Sequence, residues 1–323
     1  MRKNFAKILF VLLIIVGVLA FSMGSVNIPI KDLLINRDIP GNTRIILFTL
    51  RLPRIIMAIL VGMMLASSGA VVQSVFQNPL ADPYIIGISS SATFGAVIAY
   101  IFKMPDFFYG VFSFVCCIIS TFVIFKLSKR GNVVNVTTLL IVGIAMSAFL
   151  GAFTSFSMYL IGEDSFKITM WMMGYLGNAT WSRVIILSVP LFFSILYFHF
   201  ERYKLDALLS GDEEAHSMGV DIKKLKVRML IVVALIVAFS VAFSGMIGFV
   251  GLIVPHILKM ILGAVNSKSF PSIILGGGLF LLICDTLGRT MLSPIEIPIG
   301  VVTGFIGTPF FLYLALIKDR GVK

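Results

Sequence analysis

The sequence carries little charge for its length. Charged residues make up 13% of its 323 positions, whereas about a quarter of a soluble chain is charged. Hydrophobic residues make up 59%, and the mean hydropathy is +1.04. These values exclude an ordinary soluble domain and indicate a polytopic membrane protein.

Residues typical of catalytic and metal sites are also scarce or scattered. Gly-Lys never occurs, so the phosphate-binding P-loop is absent, and neither a HExxH zinc helix nor a GxSxG nucleophile elbow is present. His256 is better explained by a bond to a neighbouring helix than as a ligand. Cys116, Cys117 and Cys284 lie in apolar runs, which indicates neither disulfides nor a metal cluster. We therefore expect no enzymatic activity, no cofactor and no metal.

Long apolar runs predict membrane-spanning helices. The first run, residues 8–23, follows three basic residues and could be a cleaved signal peptide. A retained span is favoured, because the run is long and many others follow it. The other single spans are predicted at residues 55–75, 84–103, 107–126, 137–161, 183–200, 270–288 and 298–316.

One apolar segment, residues 229–265, is too long for a single span. As one helix it would extend about 55 Å, against roughly 30 Å for the hydrocarbon core. The residues that predict its break are Gly245, Gly248, Gly251 and Pro255. Two helices from this segment bring the total to ten spans, in one all-α transmembrane domain of residues 1–323.

The net charge of +11 orients these spans. The basic residues are dispersed in short loops and not gathered with aromatics, which argues against nucleic acid. The face that carries both termini and residues 201–228 holds 17 of the 26 Lys and Arg. By the positive-inside rule this face is cytoplasmic. The residues then expected on the outer face are Arg51, Arg54, Glu163, Trp171, Trp181, Arg289 and Glu296.

Residues 201–228, here called the polar segment, separate two apolar runs. Asp212 is a good N-cap, and Glu213 and Glu214 then fall in the first turn of a helix that Gly219 can end. A shorter helix is predicted from Leu205 to Ser210, stopped by Gly211. The alternative is an ordinary amphipathic loop on the lipid headgroups.

Small residues and one charged pair stand out inside the spans. Gly143, Ser147 and Gly151 repeat every four residues, which favours close helix packing; lining a wide pathway is the alternative. Asp285 and Arg289 lie four apart on one helical face, so they could form a buried pair. Acids near the middle of a span are almost absent, which leaves little to couple proton movement to transport. The energy for transport therefore comes from another polypeptide, and the polar segment is its natural contact.

Six blocks of the sequence, in order, resemble the permease subunits of type II ABC importers for iron-siderophore, haem and vitamin B12. The blocks are Arg51-Leu52-Pro53-Arg54, residues 66–73, Asn78 to Pro83 with Gly87, Gly211 to Gly219, Gly248 to His256, and Glu296 to Phe311. Ser91 and Lys259 depart from the pattern, which more often has Gly and Arg there. Lys259 keeps the charge but loses the fork of donors that Arg has.

The resemblance implies a type II importer permease in the bacterial cytoplasmic membrane. Its implied partners are a second permease, homodimeric or related, two cytoplasmic ABC ATPases and an extracytoplasmic substrate-binding protein. The implied ATPase-coupling residues are Gly211, Asp212, Glu213, Ala215, Met218 and Gly219. Arg51, Arg54 and Arg289 would dock the binding protein, and Gly143, Ser147 and Gly151 would line the translocation pathway.

The resemblance defines the class of function better than the cargo. We expect a ferric siderophore first, then haem, then cobalamin. An ion-coupled secondary transporter of a small molecule is the alternative function.

Overall fold

The architecture follows from a computed structural model that describes residues 4–24, 41–130 and 133–320. The first part of the chain forms α1 (Phe5–Ser22), α2 (Gly41–Ile45), α3 (Leu52–Val75), α4 (Ile88–Ile101), α5 (Asp106–Leu127), α6 (Val136–Ile161) and α7 (Phe166–Met172). The second part forms α8 (Trp181–Ala207), α9 (Asp212–Ser217), α10 (Ile222–Ser244), α11 (Val250–Leu262), α12 (Asn266–Thr290) and α13 (Ile299–Arg320). A π-helical stretch, Ile46–Arg51, precedes α3, and short 3-10 turns lie at Pro83–Ile86, Gly162–Ser165 and Leu208–Ser210. The strands β1 (Lys129–Arg130) and β2 (Val133–Val134) form one small antiparallel ladder.

The helices agree with the predicted membrane class. Within the described residues, seven helical segments are long and apolar enough to cross a membrane, and three shorter apolar helices bring the total to ten. The all-α class is thereby confirmed, and the ten apolar helices agree with the predicted count, although three of them are shorter than a full span. The polar residues 25–40, between the first two spans, lie outside the described residues.

Helix α3 is the centre of the bundle and is buried along most of its length. It packs against α8, α10, α11 and α12. A Cβ at Gly62 would overlap the carbonyl of Gly277, and one at Gly69 would overlap that of Gly251. Small residues therefore let α3 approach α12 and α11 at backbone distance, the usual way in which helices associate in lipid.

The long apolar segment, residues 229–265, is broken as predicted, but only some of the residues predicted to break it lie at the break. Helix α10 ends at Ser244, and both Gly245 and Phe249 have a φ of +68°. Gly251 and Pro255 lie inside α11, so they do not mark the break. Pro255 has no amide to donate to the Gly251 carbonyl four residues earlier, yet α11 continues past it to Leu262.

Two predicted boundaries need correction. Residues 84–103 do not form one helix, because Gly87 at φ +80° separates the turn Pro83–Ile86 from α4. In the polar segment, Leu205 belongs to the end of α8, and only Leu208–Ser210 forms a separate turn. Polar residues at the end of α8 do not stop it, since Arg, Lys and Glu are good helix formers.

Candidate functional site

The polar segment forms a short helix held between two sharp turns. Gly211, at φ +118°, precedes α9, and Gly219, at φ +82°, follows it. Glu213 and Glu214 lie in the first turn of α9, as predicted. Asp221 then caps α10 by accepting a hydrogen bond from the Lys224 amide at 3.1 Å. Bonds from the Lys224 side chain and amide hold the pKa of the Asp221 carboxyl below its ordinary value.

Asp212 has a different role from the predicted N-cap. The capping position is Gly211, and Asp212 is the first residue of the helix. Its carboxylate accepts two hydrogen bonds from Lys226 Nζ, at 2.8 and 2.7 Å. It also accepts one from Gln77 Nε2 at 3.0 Å. Asp212 therefore links α9 to α10 and to the turn after α3. It does not cap its own helix, because the Lys226 ammonium attracts the carboxylate more strongly than the helix amides do.

The side chains of α9 divide into an inner and an outer face. Ala215 is fully buried against the rest of the chain, which corrects the expectation that it contacts a partner. Met218 is 64% exposed, and Glu213 and Glu214 are exposed beside it. Met218, which directly follows α9, is thus the exposed apolar side chain here, beside the exposed polar residues Asp212, Glu213, Glu214, His216 and Ser217.

The predicted docking arginines meet at the opposite end of α3 and form one buried cluster with Asp285 and Glu296. Arg54 Nη2 lies 2.9 Å from Asp285 Oδ1, and Arg54 Nη1 lies 2.9 Å from Glu296 Oε2. Arg289 Nε lies 3.0 Å from Asp285 Oδ2, so the predicted Asp285–Arg289 pair is present, although its alignment is not that of a hydrogen bond. We call these five residues the arginine cluster.

Two of these arginines also bind the end of the first helix. Arg51 Nη1 donates to the carbonyls of Phe21 and Ser22, both at 2.9 Å. Arg289 donates to the carbonyls of Ala20 and Met23 over longer distances, 3.5 and 3.4 Å. The last carbonyls of a helix lack intrahelical donors and carry partial negative charge, which explains the attraction.

The cluster is therefore not the exposed basic ring that the sequence suggested. Arg51 is 6% exposed and Arg289 is 4% exposed. The side chain of Arg54 is 12% exposed. The three arginines do come together on one side, but their guanidinium groups are turned inward by the acids and by α1.

The three small residues of α6 have different surroundings. Ser147 Oγ donates to the carbonyl of Gly143 at 2.8 Å, and both groups lie close against Gly87 before α4. Gly151 has open space where a Cβ would stand. Helix packing therefore accounts for Gly143 and Ser147, whereas Gly151 is free to face a pathway or lipid.

Sequence reasoning missed the partners that lie far away in the chain. Asp206 Oδ1 accepts from the amide of Asn266 at 2.5 Å, which caps α12 from the end of α8. Lys259 Nζ donates to the carbonyl of Ala70 and to Ser74 Oγ, at 3.2 and 3.3 Å. The role of Asp206 is hard to predict from the sequence, because a capping acid normally comes directly before the helix that it caps.

Comparison with known proteins decides the family. The family model of the FecCD transport family matches residues 12–317, nearly the whole chain. The chain belongs to the FecCD transport family.

Relatives in the FecCD family are permease proteins. The hemin transport system permease protein HmuU of Yersinia pestis is 36% identical over 315 residues, covering 95% of this chain and 94% of its own. The cobalamin import system permease protein BtuC of Halobacterium salinarum is 38% identical over 289 residues, covering 88% and 76%. This chain is thus an ABC importer permease, as the resemblance implied.

A solved structure of an inward-facing metal-chelate type ABC transporter has the same fold. Its TM-score is 0.88 at 30% identity, and the match covers 97% of this chain and 99% of the other. The FecCD family comprises transport permeases and is not a known enzyme family, which agrees with the absence of a P-loop from the sequence.

Proposed function

We propose that this permease imports a metal chelate across the bacterial cytoplasmic membrane and is driven by two separate ATPases. The proposal rests on the side-chain bonds that join α9 to the rest of the bundle. A force applied to α9 reaches α10 through Asp212 and Lys226, and reaches the turn after α3 through Asp212 and Gln77. A short exposed helix with such ties can transmit the movement of a partner.

The proposed ATPase contact is the outer face of α9. Met218 supplies apolar surface, and Gly211, Asp212, Glu213 and Gly219 fix the shape of the turns around it. Ala215 contributes from the inner face, where its small side chain lets α9 lie close to the bundle. A single exposed methionine suits a partner cleft, since Met adapts to irregular surfaces.

The proposed cargo is a chelate of a metal ion. Named relatives import haem and cobalamin, and the structural neighbour is of the metal-chelate type. A ferric siderophore remains our first expectation, followed by haem and cobalamin. Gly151 and the face of α6 around it are proposed to border the route between this permease and a second one.

We also propose that a binding protein docks at the arginine cluster. Because Arg51 and Arg289 are buried, they support this contact and do not make it themselves. Arg51 and Arg289 hold the outer end in shape by binding α1, while Arg54 and the 30%-exposed Glu296 lie nearer the surface. We expect Arg54→Glu to weaken capture of the binding protein, most clearly at low salt, where exposed charges are least screened. Unchanged affinity at low salt would remove the cluster from docking.

An ion-coupled transporter is the rival function. In the described part of the chain, the buried Asp285 that could serve such a mechanism is engaged by Arg54 and Arg289. Both oxygens of this carboxylate face guanidinium groups, so neither is left unpaired for a transported ion.

Uptake of a labelled chelate by cells tests the proposal. Replacing the P-loop lysine of the partner ATPase should abolish uptake, whereas collapsing the proton gradient at constant ATP should not. Uptake that survives the ATPase substitution and stops with the gradient would support the rival.

A further inference from the structure

A cavity of about 470 Å³ opens beside the arginine cluster and shares only Glu296 with it. Its walls include the start of α5 and the end of α10, with Trp171 of α7 and Arg183 of α8 completing them. Its lining is mostly apolar and rich in aromatic rings, among them Phe114, Phe239 and Phe243. This volume is within the usual range of small-molecule sites.

The cavity reaches from the end of the bundle into the hydrocarbon depth. Its lining on α5 runs from Asp106 to Phe114. Eight helical residues rise roughly 12 Å, slightly less than the roughly 15 Å of one hydrocarbon leaflet. Phe107 and Val111 line the cavity and are also 53% and 37% exposed, so it opens sideways onto the apolar outer surface.

Both tryptophans of the chain stand near the polar end of this cavity. Trp171 lines it, and Trp181 begins α8 two residues before Arg183. Tryptophan concentrates at the boundary between lipid headgroups and hydrocarbon. The cations at this end therefore lie at the depth where lipid phosphates are found.

Arg183 is the uncompensated charge of the cavity. Lys167 is paired with Asp106 at 2.7 Å, and Glu296 is paired with Arg54. The guanidinium of Arg183 is partly buried, and it makes neither a hydrogen bond nor an ion pair with any residue in the described part of the chain. A partly buried charge without a partner is costly, and a phosphate would supply a bidentate acceptor.

We propose that this cavity binds one anionic phospholipid, with its phosphate on Arg183 and one acyl chain lying against the surface where α5 and α10 meet. The apolar depth, the lateral opening and the one unpaired cation among the described residues that line the cavity together match a lipid with one negative charge. A second copy of this chain fits less well, because a chain with a net charge of +11 offers no surplus of carboxylates to Arg183.

Native mass spectrometry of the purified, delipidated permease complex tests the site. We expect phosphatidylglycerol to bind more tightly than zwitterionic phosphatidylcholine. Arg183→Gln should weaken phosphatidylglycerol binding about fivefold to tenfold, because one cation near the lipid surface is lost. The matched control is Lys103→Gln, which removes an exposed cation outside this cavity and should leave binding unchanged.

A second variant fills the apolar part of the site. Val111→Trp, at a partly exposed position, should lower the binding of both lipids without loss of folded protein. If Arg183→Gln fails to accumulate, Val111→Trp still tests the site. Phosphatidylglycerol with a photoreactive acyl chain should label peptides from residues 106–114 and 239–245.

Three results would overturn the proposal. The first is equal binding of phosphatidylglycerol by the wild type and Arg183→Gln, and the second is photolabelling confined to other helices. The third is efficient disulfide formation between two copies of Val111→Cys in native membranes, which would show that a second permease covers the cavity.

Discussion

Arg54 joins two acids that come from distant parts of the chain. It pairs with Asp285 of α12 and with Glu296 before α13, and the Asp285 side chain is only 1% exposed. The Asp285–Arg289 pair was predictable from its spacing along one helix. Arg54 was not, because its partner lies 231 positions away and only the packing of α3 on α12 brings the two together.

Removing Arg54 should destabilise the protein strongly. Arg54→Ala leaves a buried carboxylate with one cation instead of two, and breaking a buried pair costs about 3–5 kcal/mol. Thermal unfolding in detergent should show a clearly lower midpoint for Arg54→Ala than for Arg44→Ala, which removes an exposed arginine of α2. Arg54→Lys should be intermediate, because one ammonium lacks the fork that engages both acids. Equal midpoints for the two alanine variants would contradict this role.

At the scale of elements, the local sequence predicted the turns but not the contacts between residues that are distant in the sequence. The positive φ of Gly219 and the break at Gly245 follow from glycine itself, so both were readable in the sequence. The corrected role of Asp212 depends on Lys226 and Gln77, which become neighbours only when three helices assemble. Burial of Ala215 has the same origin.

The turn after α9 offers a test of coupling. Gly219 has open space around it, so Gly219→Val acts only through its left-handed backbone, at a cost of about 1–2 kcal/mol. The permease should still insert, but it should recover less ATPase on purification or stimulate hydrolysis without uptake. Gly219→Asn is the control, since Asn accepts this conformation better. Normal uptake and normal ATPase recovery with Val would exclude the turn from the mechanism.

The contrast within α6 separates packing from a pathway. Ser147→Trp should lower the amount of folded permease, because Ser147 lies against Gly87. Gly151→Trp should leave that amount unchanged and block uptake, because the added ring enters open space beside the proposed route. Uptake measured beside membrane expression distinguishes the two effects. Full uptake by Gly151→Trp would remove this residue from the pathway.

At the scale of the whole molecule, the charge pattern of the sequence and the packing of the helices distinguish the same two ends of the bundle. The polar segment and the arginine cluster lie at opposite ends of α3, as the predicted topology requires. Composition and apolar length were sufficient for the class and for ten helices. They were insufficient for the cavity beside Arg183, which exists only because α5, α8 and α10 converge.

Orientation in the membrane can be tested by labelling from outside intact cells. In a background without Cys116, Cys117 and Cys284, an impermeant thiol reagent should modify Asp164→Cys but not Ser210→Cys. Both positions are exposed, so access is decided by the side of the membrane. Modification of Ser210→Cys in sealed cells would reverse the proposed topology.

Cross-linking between α9 and the ATPase tests the central claim most directly. In the same background, Met218→Cys should form a covalent adduct with the ATPase through a short thiol–amine reagent, because Met218 is the exposed apolar side chain at the end of α9. Asp164→Cys, at the other end, is the matched control and should form none. The account predicts an adduct from Met218→Cys alone; no adduct from it, or equal adducts from both positions, would contradict the claim that an ATPase drives this permease through α9.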